Sequence, residues 1–106
     1  MSMSDGLKQR LDNIINSEKI VLFMKGDRNG PQCGFSSRVV KVLEGLTDNY
    51  KTIDVLSDPD IRNGIKEYSE WPTIPQLYIE GDFVGGCDVV EQLSKTGDLM
   101  KLIGEG

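Results

Sequence analysis

Ile20-Val21-Leu22-Phe23-Met24-Lys25-Gly26, then a polar stretch from Asp27 to Gln32, then Cys33-Gly34-Phe35-Ser36: the reading of this segment decides the fold. A half-buried strand alternates apolar and polar residues, so the unbroken run Ile20 to Met24 predicts a central strand covered on both faces. Lys25-Gly26 ends it. Beyond the polar loop, Phe35, Val39, Val42, Leu43 and Leu46 recur at helical spacing and predict a helix that opens at the cysteine. A strand feeding a helix through a loop is half of an α/β unit, and here the loop delivers a thiol to the helix N-terminus.

Working outward, Leu7, Leu11, Ile14 and Ile15 lie on one helical face behind a Ser4-Asp5 cap. Tyr50 to Leu56 reads as a second strand. Asp58-Pro59 starts a third helix, with Pro at the first helical position and Ile61, Ile65 and Tyr68 on one face. Gly64 inside it costs about 1 kcal/mol of helix propensity. Trp71-Pro72-Thr73-Ile74-Pro75 is incompatible with helix and leads into a strand from Gln76 to Glu80, in which Leu77 and Ile79 alternate with polar neighbours. Gly81-Asp82 is a hairpin signal, with Phe83 to Gly85 as the return strand. Two last helices, Gly86 to Ser94 and Gly97 to Ile103, break at Thr96-Gly97. The order αβαβαββαα predicts an α/β fold with a four-stranded mixed sheet flanked by helices, its crossover pair parallel and its closing hairpin antiparallel. The thioredoxin-like fold is one such architecture.

Composition narrows the function. A chain of 106 residues, 38% hydrophobic and 27% charged, is expected to form one globular domain spanning 1–106. Its net charge of −5 repels nucleic acid and anionic membrane over most of the surface, so any anion site must be local. With no histidine, the Ser-His-Asp triad, the Cys-His pair and His-ligated zinc are all excluded. Two cysteines, Cys33 and Cys87, are too few for a disulfide scaffold and point to a reducing compartment. They are also too few to close a four-thiolate metal site within one chain, so a metal here needs outside ligands or a second subunit. The longest apolar run falls far short of the roughly 20 residues of a membrane span. No secretory or transit signal is evident, and the expected location is cytoplasmic, or an organelle matrix if a transit peptide has been removed.

Cys33 meets the positive end of a helix dipole and unpaired N–H groups, with Lys25 as an added charge, and all three favour thiolate. The alternative is a cysteine packed as a small hydrophobe. Ser36 stands where a Cys-x-x-Cys motif has its second thiol, so a mixed disulfide on Cys33 must be resolved by an external thiol, glutathione being the natural one. Pro75 has no N–H, which leaves the backbone of Ile74 to pair with an extended peptide-like ligand, unless this is an ordinary loop proline. Gly85-Gly86-Cys87-Asp88 opens a helix and is a candidate carboxylate site, or a simple turn with Asp88 as its cap. Arg62 by itself reads as a solvated charge.

Lys25-Gly26, Pro31-Gln32, Cys33-Gly34-Phe35-Ser36, Asp58-Pro59, Arg62, Trp71 to Gln76 and Gly85 to Asp88 together closely resemble the monothiol glutaredoxins of the CGFS type, over nearly the whole chain from Leu7 to Leu102. The resemblance implies a thioredoxin-like fold with Pro75 cis, in the short single-domain branch of the family. It also implies a glutathione groove between the Cys33 helix and the Gly85 to Asp88 turn. Carried over to these positions, Lys25 and Arg62 hold the glycine carboxylate of glutathione and Ile74 pairs with its cysteinyl backbone. The N–H groups of Cys87 and Asp88 meet its γ-glutamyl carboxylate, with the Asp88 side chain near the ammonium.

The resemblance further implies a [2Fe–2S] carrier or sensor. Two Cys33 thiolates and two glutathiones make the four-thiolate set that one chain cannot supply, which implies a homodimer in the cluster-bound form. BolA-like proteins and apo iron–sulfur proteins are the implied partners, and neither nucleic acid nor membrane is expected. The competing reading is a monothiol glutathione-disulfide oxidoreductase acting through Cys33, and the long loop Asp27 to Gln32 argues against high activity, since the family associates it with poor use of a second glutathione. A third is a structural adaptor with an idle thiol.

Overall fold

The computed structural model describes residues 3–104, so the outer ends of the expected 1–106 domain lie outside the described residues. Helix α1 (Asp5–Ile15) is capped by Ser4, whose side chain accepts from the Leu7 N–H. Strand β1 (Ile20–Met24) is buried along its whole length. Helix α2 (Gly34–Glu44), strand β4 (Lys51–Asp54), helix α3 (Pro59–Ser69), strands β5 (Gln76–Ile79) and β6 (Asp82–Gly85), and helices α4 (Cys87–Thr96) and α5 (Asp98–Ile103) complete the main frame. The loop expected at Asp27 to Gln32 contains a small antiparallel pair, β2 (Gly26–Asp27) and β3 (Gly30–Pro31). Asp27 Oδ1 accepts from the Asn29 and Gly30 N–H groups and closes its turn.

The main sheet has four strands in the order β4-β1-β5-β6. β1 and β4 are parallel, while β1–β5 and β5–β6 are antiparallel. Full burial of β1 follows from its central place. Ile20, Leu22 and Met24 pack into a core with Val39, Leu43, Val90, Leu99 and Ile103 from α2, α4 and α5. Val21 and Phe23, pointing the other way, join Leu11, Ile15, Ile61 and Ile65 from α1 and α3. The sheet is thus the middle of three layers.

Several details depart from the sequence expectation for identifiable reasons. The buried face of α2 is Ser36, Val39, Val40 and Leu43, whereas Phe35 is 57% exposed, because its first helical turn overhangs a groove and not the sheet. The second strand is shorter than Tyr50 to Leu56, since the Asp54 side chain accepts from the Leu56 N–H and starts a 3-10 turn at Val55. β5 does not alternate: Gln76 and Tyr78 are buried as well, with Tyr78 in edge contact with Phe23 at 5.6 Å and Tyr68 at 6.3 Å. The β5–β6 turn is Glu80-Gly81, one residue earlier than expected, with both residues at positive φ (53° and 84°), the hand that suits a two-residue hairpin. Gly64, a propensity loss on paper, has a packing reason: a Cβ there would lie 2.8 Å from Leu7 Cδ2, so glycine lets α3 approach α1.

Candidate functional site

Cys33 is the N-cap of α2, in extended conformation (φ −155°, ψ 149°), and its sulfur accepts from the Ser36 N–H at 3.4 Å. The cysteine is half-buried and free. Ser36, fully buried one turn on, has two jobs: its Oγ accepts from the Lys25 N–H at 3.1 Å and lies 3.6 Å from Cys33 Sγ, with the thiol donating. Once the thiol proton has left, the hydroxyl can turn to donate to the sulfur. The hydroxyl that replaces a second thiol therefore locks the end of β1 to the start of α2.

Burial pushes the Cys33 thiol up, but the Ser36 N–H, the Ser36 hydroxyl, the Phe35 N–H and the Lys25 charge together outweigh it, and the thiol lies below the ordinary range. Cys87 goes the other way. Burial raises it first, the Glu91 carboxylate raises it further, and Arg38 only partly compensates. Thiol reactivity follows thiolate fraction. Iodoacetamide should therefore modify Cys33 at a pH where free cysteine is still protonated, and Cys87 only above that range. In Ser36→Ala the Cys33 profile should move to higher pH. Measured by mass spectrometry across a pH series, identical profiles for the two cysteines would overturn this assignment.

Beside the thiol lies a groove of about 530 Å³. Lys25 and Phe35 line one side, the loop from Trp71 to Pro75 a second, and Gly86 to Val89 at the start of α4 a third. Ile74, buried and joined to Pro75 by a cis peptide bond, belongs to this lining, as do Cys87 and Asp88. The N-cap of α4 is Gly86, without a side-chain cap; Asp88 is exposed in the first turn and does not cap the helix. The N–H groups of that first turn have no acceptor within the helix and carry its positive dipole end. Gly86 permits the close fit: a Cβ there would sit 3.2 Å from Trp71 Nε1 and 3.3 Å from the Pro75 carbonyl.

Of the residues singled out by sequence, Lys25, Ile74, Cys87 and Asp88 meet on this groove, whereas Cys33 does not line it and is linked to it through its neighbour Phe35 and the charge of Lys25. Arg62 is half-buried on α3 and does not line it, whereas Lys66, on the same face one turn later, does. The i,i+4 spacing from Arg62 to Lys66 was the available signal. Sequence reasoning also missed Arg38 and Glu91, which form a two-bond ion pair from α2 to α4. Ligand atoms of Cys87, Asp88 and Glu91 lie within 4.8 Å of one another, but the Glu91 carboxylate is already engaged by Arg38. Chemically, the site offers one activated thiol nearby, two ammonium groups, Lys25 and Lys66, and a helix N-terminus.

The Glutaredoxin family model matches residues 20–84. An uncharacterized ycf64-like monothiol glutaredoxin of Synechocystis is 48% identical over 95% of this chain and 94% of its own length. Chloroplastic monothiol glutaredoxin-S14 of Arabidopsis thaliana is 48% identical over 94% of this chain and 58% of its own. The mitochondrial glutaredoxin-related protein 5 of Danio rerio is 48% identical over 95% and 65%. The chain spans less than two thirds of several relatives, down to 20% of Arabidopsis monothiol glutaredoxin-S17. Among solved structures, reduced poplar apo GrxS14 superposes with a TM-score of 0.81 at 46% identity, covering 93% of this chain and 91% of that one. A buckwheat glutaredoxin–glutathione complex gives 0.82 at 29% identity, covering 97% and 94%. One activated cysteine at the N-terminus of α2, a serine in place of the second thiol, and these likenesses together make the chain a member of the glutaredoxin family, in its monothiol group.

Proposed function

We propose that the chain is a glutathione-dependent carrier or sensor of [2Fe–2S] clusters, a single glutaredoxin domain over 1–106 that holds its cargo between two copies of itself. The observation that carries this reading is the asymmetry of the two cysteines. Cys33 is half-exposed and favours thiolate, Cys87 is buried and favours thiol, so each subunit offers one good sulfur ligand. A four-thiolate site then requires a second subunit and two external thiols. The groove fits glutathione as that thiol: Lys25 and Lys66 suit one carboxylate, with Arg62 one turn before Lys66 on α3. The Ile74 backbone suits the cysteinyl amide, and the Cys87 and Asp88 N–H groups suit the other carboxylate, with the Asp88 side chain for the ammonium. The buckwheat glutaredoxin was solved with glutathione, which supports the same ligand here. Bound, the cluster supplies a transferable iron–sulfur unit, half of whose ligands are exchangeable small molecules.

BolA-like proteins and apo iron–sulfur proteins are the partners this role implies. Nucleic acid and membrane are not: the net charge is −5, and no helix of the described residues is long and apolar enough to span a bilayer. We assign the protein to the cytoplasm or, where a transit peptide has been removed, an organelle matrix. A second reading, weak monothiol glutathione-disulfide oxidoreductase activity, is favoured by the depressed Cys33 thiol.

Anaerobic reconstitution with iron and sulfide, with and without glutathione, tests the proposal. The expected result is a coloured dimer by sedimentation, with about one glutathione per subunit, from a mainly monomeric apo protein. A stable cluster in a glutathione-free monomer would overturn it. Thiol turnover by a protein that stays colourless would select the enzyme reading.

A further inference from the structure

Gln76 opens β5 with no exposed surface, a rare position for a primary amide. Its Nε2 donates to the carbonyls of Trp71 and Thr73, both at 3.2 Å, and its Oε1 accepts from the Tyr78 hydroxyl at 3.3 Å. Both amide protons are thereby used. The two carbonyls belong to the loop that walls the groove. Trp71, Pro72 and Thr73 are exposed on that wall, and Gln76 ties it down from behind.

The consequence follows from the planarity of the peptide bond. In a trans peptide the C=O and the following N–H point in opposite directions. Because the Thr73 carbonyl is drawn to Gln76 in the core, the N–H of Ile74, its partner in that peptide, is turned away from the core. Among the described residues this N–H has no backbone or side-chain acceptor, and Ile74 lines the groove. We infer that Gln76 is a positioning residue for ligand binding: by holding the Thr73 carbonyl inward it aims the Ile74 N–H into the groove for an extended, peptide-like ligand. The inference rests on the reading of the groove as a glutathione site. Neither a carboxylate, which has no protons to give, nor an apolar side chain can do the same.

Gln76→Met keeps the length of the side chain and deletes both donors, while Tyr78→Phe leaves both donors in place and removes the bond to Oε1. Glutathione affinity, measured by calorimetry, should fall roughly tenfold in Gln76→Met, the equivalent of about one hydrogen bond to a charged or buried partner, and stay within about twofold in Tyr78→Phe. Trp71 is the one tryptophan of the chain, so its fluorescence reports the wall directly and should shift in Gln76→Met before any ligand is added. A folded Gln76→Met that binds like wild type with an unchanged Trp71 spectrum would overturn the inference. If that variant does not fold, the wild-type protein still decides. Its Gln76 side-chain amide protons should exchange with solvent far more slowly than those of exposed Gln92, and equal rates would refute the role. Failure of the wild type to bind glutathione would instead refute the ligand, leaving exchange and fluorescence to judge Gln76.

Discussion

Cys33→Ser is expected to abolish cluster assembly, whereas Cys87→Ser retains most of it. The two thiols sit on facing helices, yet their surroundings are opposite. Cys33 receives N–H groups, a hydroxyl and the charge of Lys25, while Cys87 is buried beside Asp88 and Glu91. Serine at position 33 keeps an N-cap oxygen for the Ser36 N–H, so the helix start survives and loss of function is not loss of fold. Iron and acid-labile sulfide, quantified after anaerobic reconstitution of both variants, give the answer. Equal losses in the two would end the assignment of Cys33 as the single protein ligand of each subunit.

Lys25→Glu should be nearly as damaging. The lysine directly follows β1, lines the groove and lowers the Cys33 thiol, so reversing its charge acts on both the ligand and the sulfur. A four-thiolate [2Fe–2S] unit carries about −2 when oxidised. In a chain whose net charge is already −5, positive charge at the site has to be local. Glutathione affinity should drop by roughly 10- to 100-fold, the range of a lost charge-assisted bond with repulsion added. The control is Lys8→Glu, an exposed position on α1 outside the groove, where a change within about ±0.5 kcal/mol is expected. Cluster half-life and glutathione affinity at matched ionic strength, with thermal unfolding of each variant, compare the two. Similar behaviour would remove Lys25 from the site and require a different pose for the ligand.

What the sequence made legible divides along physical lines. β1, the caps at Ser4 and Asp58, and the break at Gly97 come from local chemistry, an apolar run or a side chain bonding within its own turn. Such signals need no knowledge of the rest of the fold. Periodicity puts Phe35 on the buried face of α2 because it records where apolar residues recur, not whether sheet or groove lies beneath the first turn. Gln76 and Tyr78 read as solvent-facing because they are polar, but the Trp71–Thr73 carbonyls and an aromatic cluster, all brought by the fold, satisfy and cover them. Lys66 is not legible for a similar reason: which of two cations a turn apart reaches a groove depends on how α3 is rotated, and packing against α1 sets that rotation. The β2–β3 pair is too short to leave a pattern at all.

The bond from the Lys25 N–H to the Ser36 hydroxyl bears on how one-thiol and two-thiol members of such a family are separated. On paper they differ by a single atom, oxygen for sulfur. In this chain that oxygen is sealed in the core and accepts the N–H of the residue that closes the central strand. Sulfur is larger and a poorer acceptor, so the exchange would leave a main-chain proton underserved and crowd the first turn of α2. Ser36→Cys is therefore expected to lower stability even as it adds the second thiol. The residue that withholds the resolving thiol is thus also a structural pin, and chemistry and stability at this position cannot be changed independently.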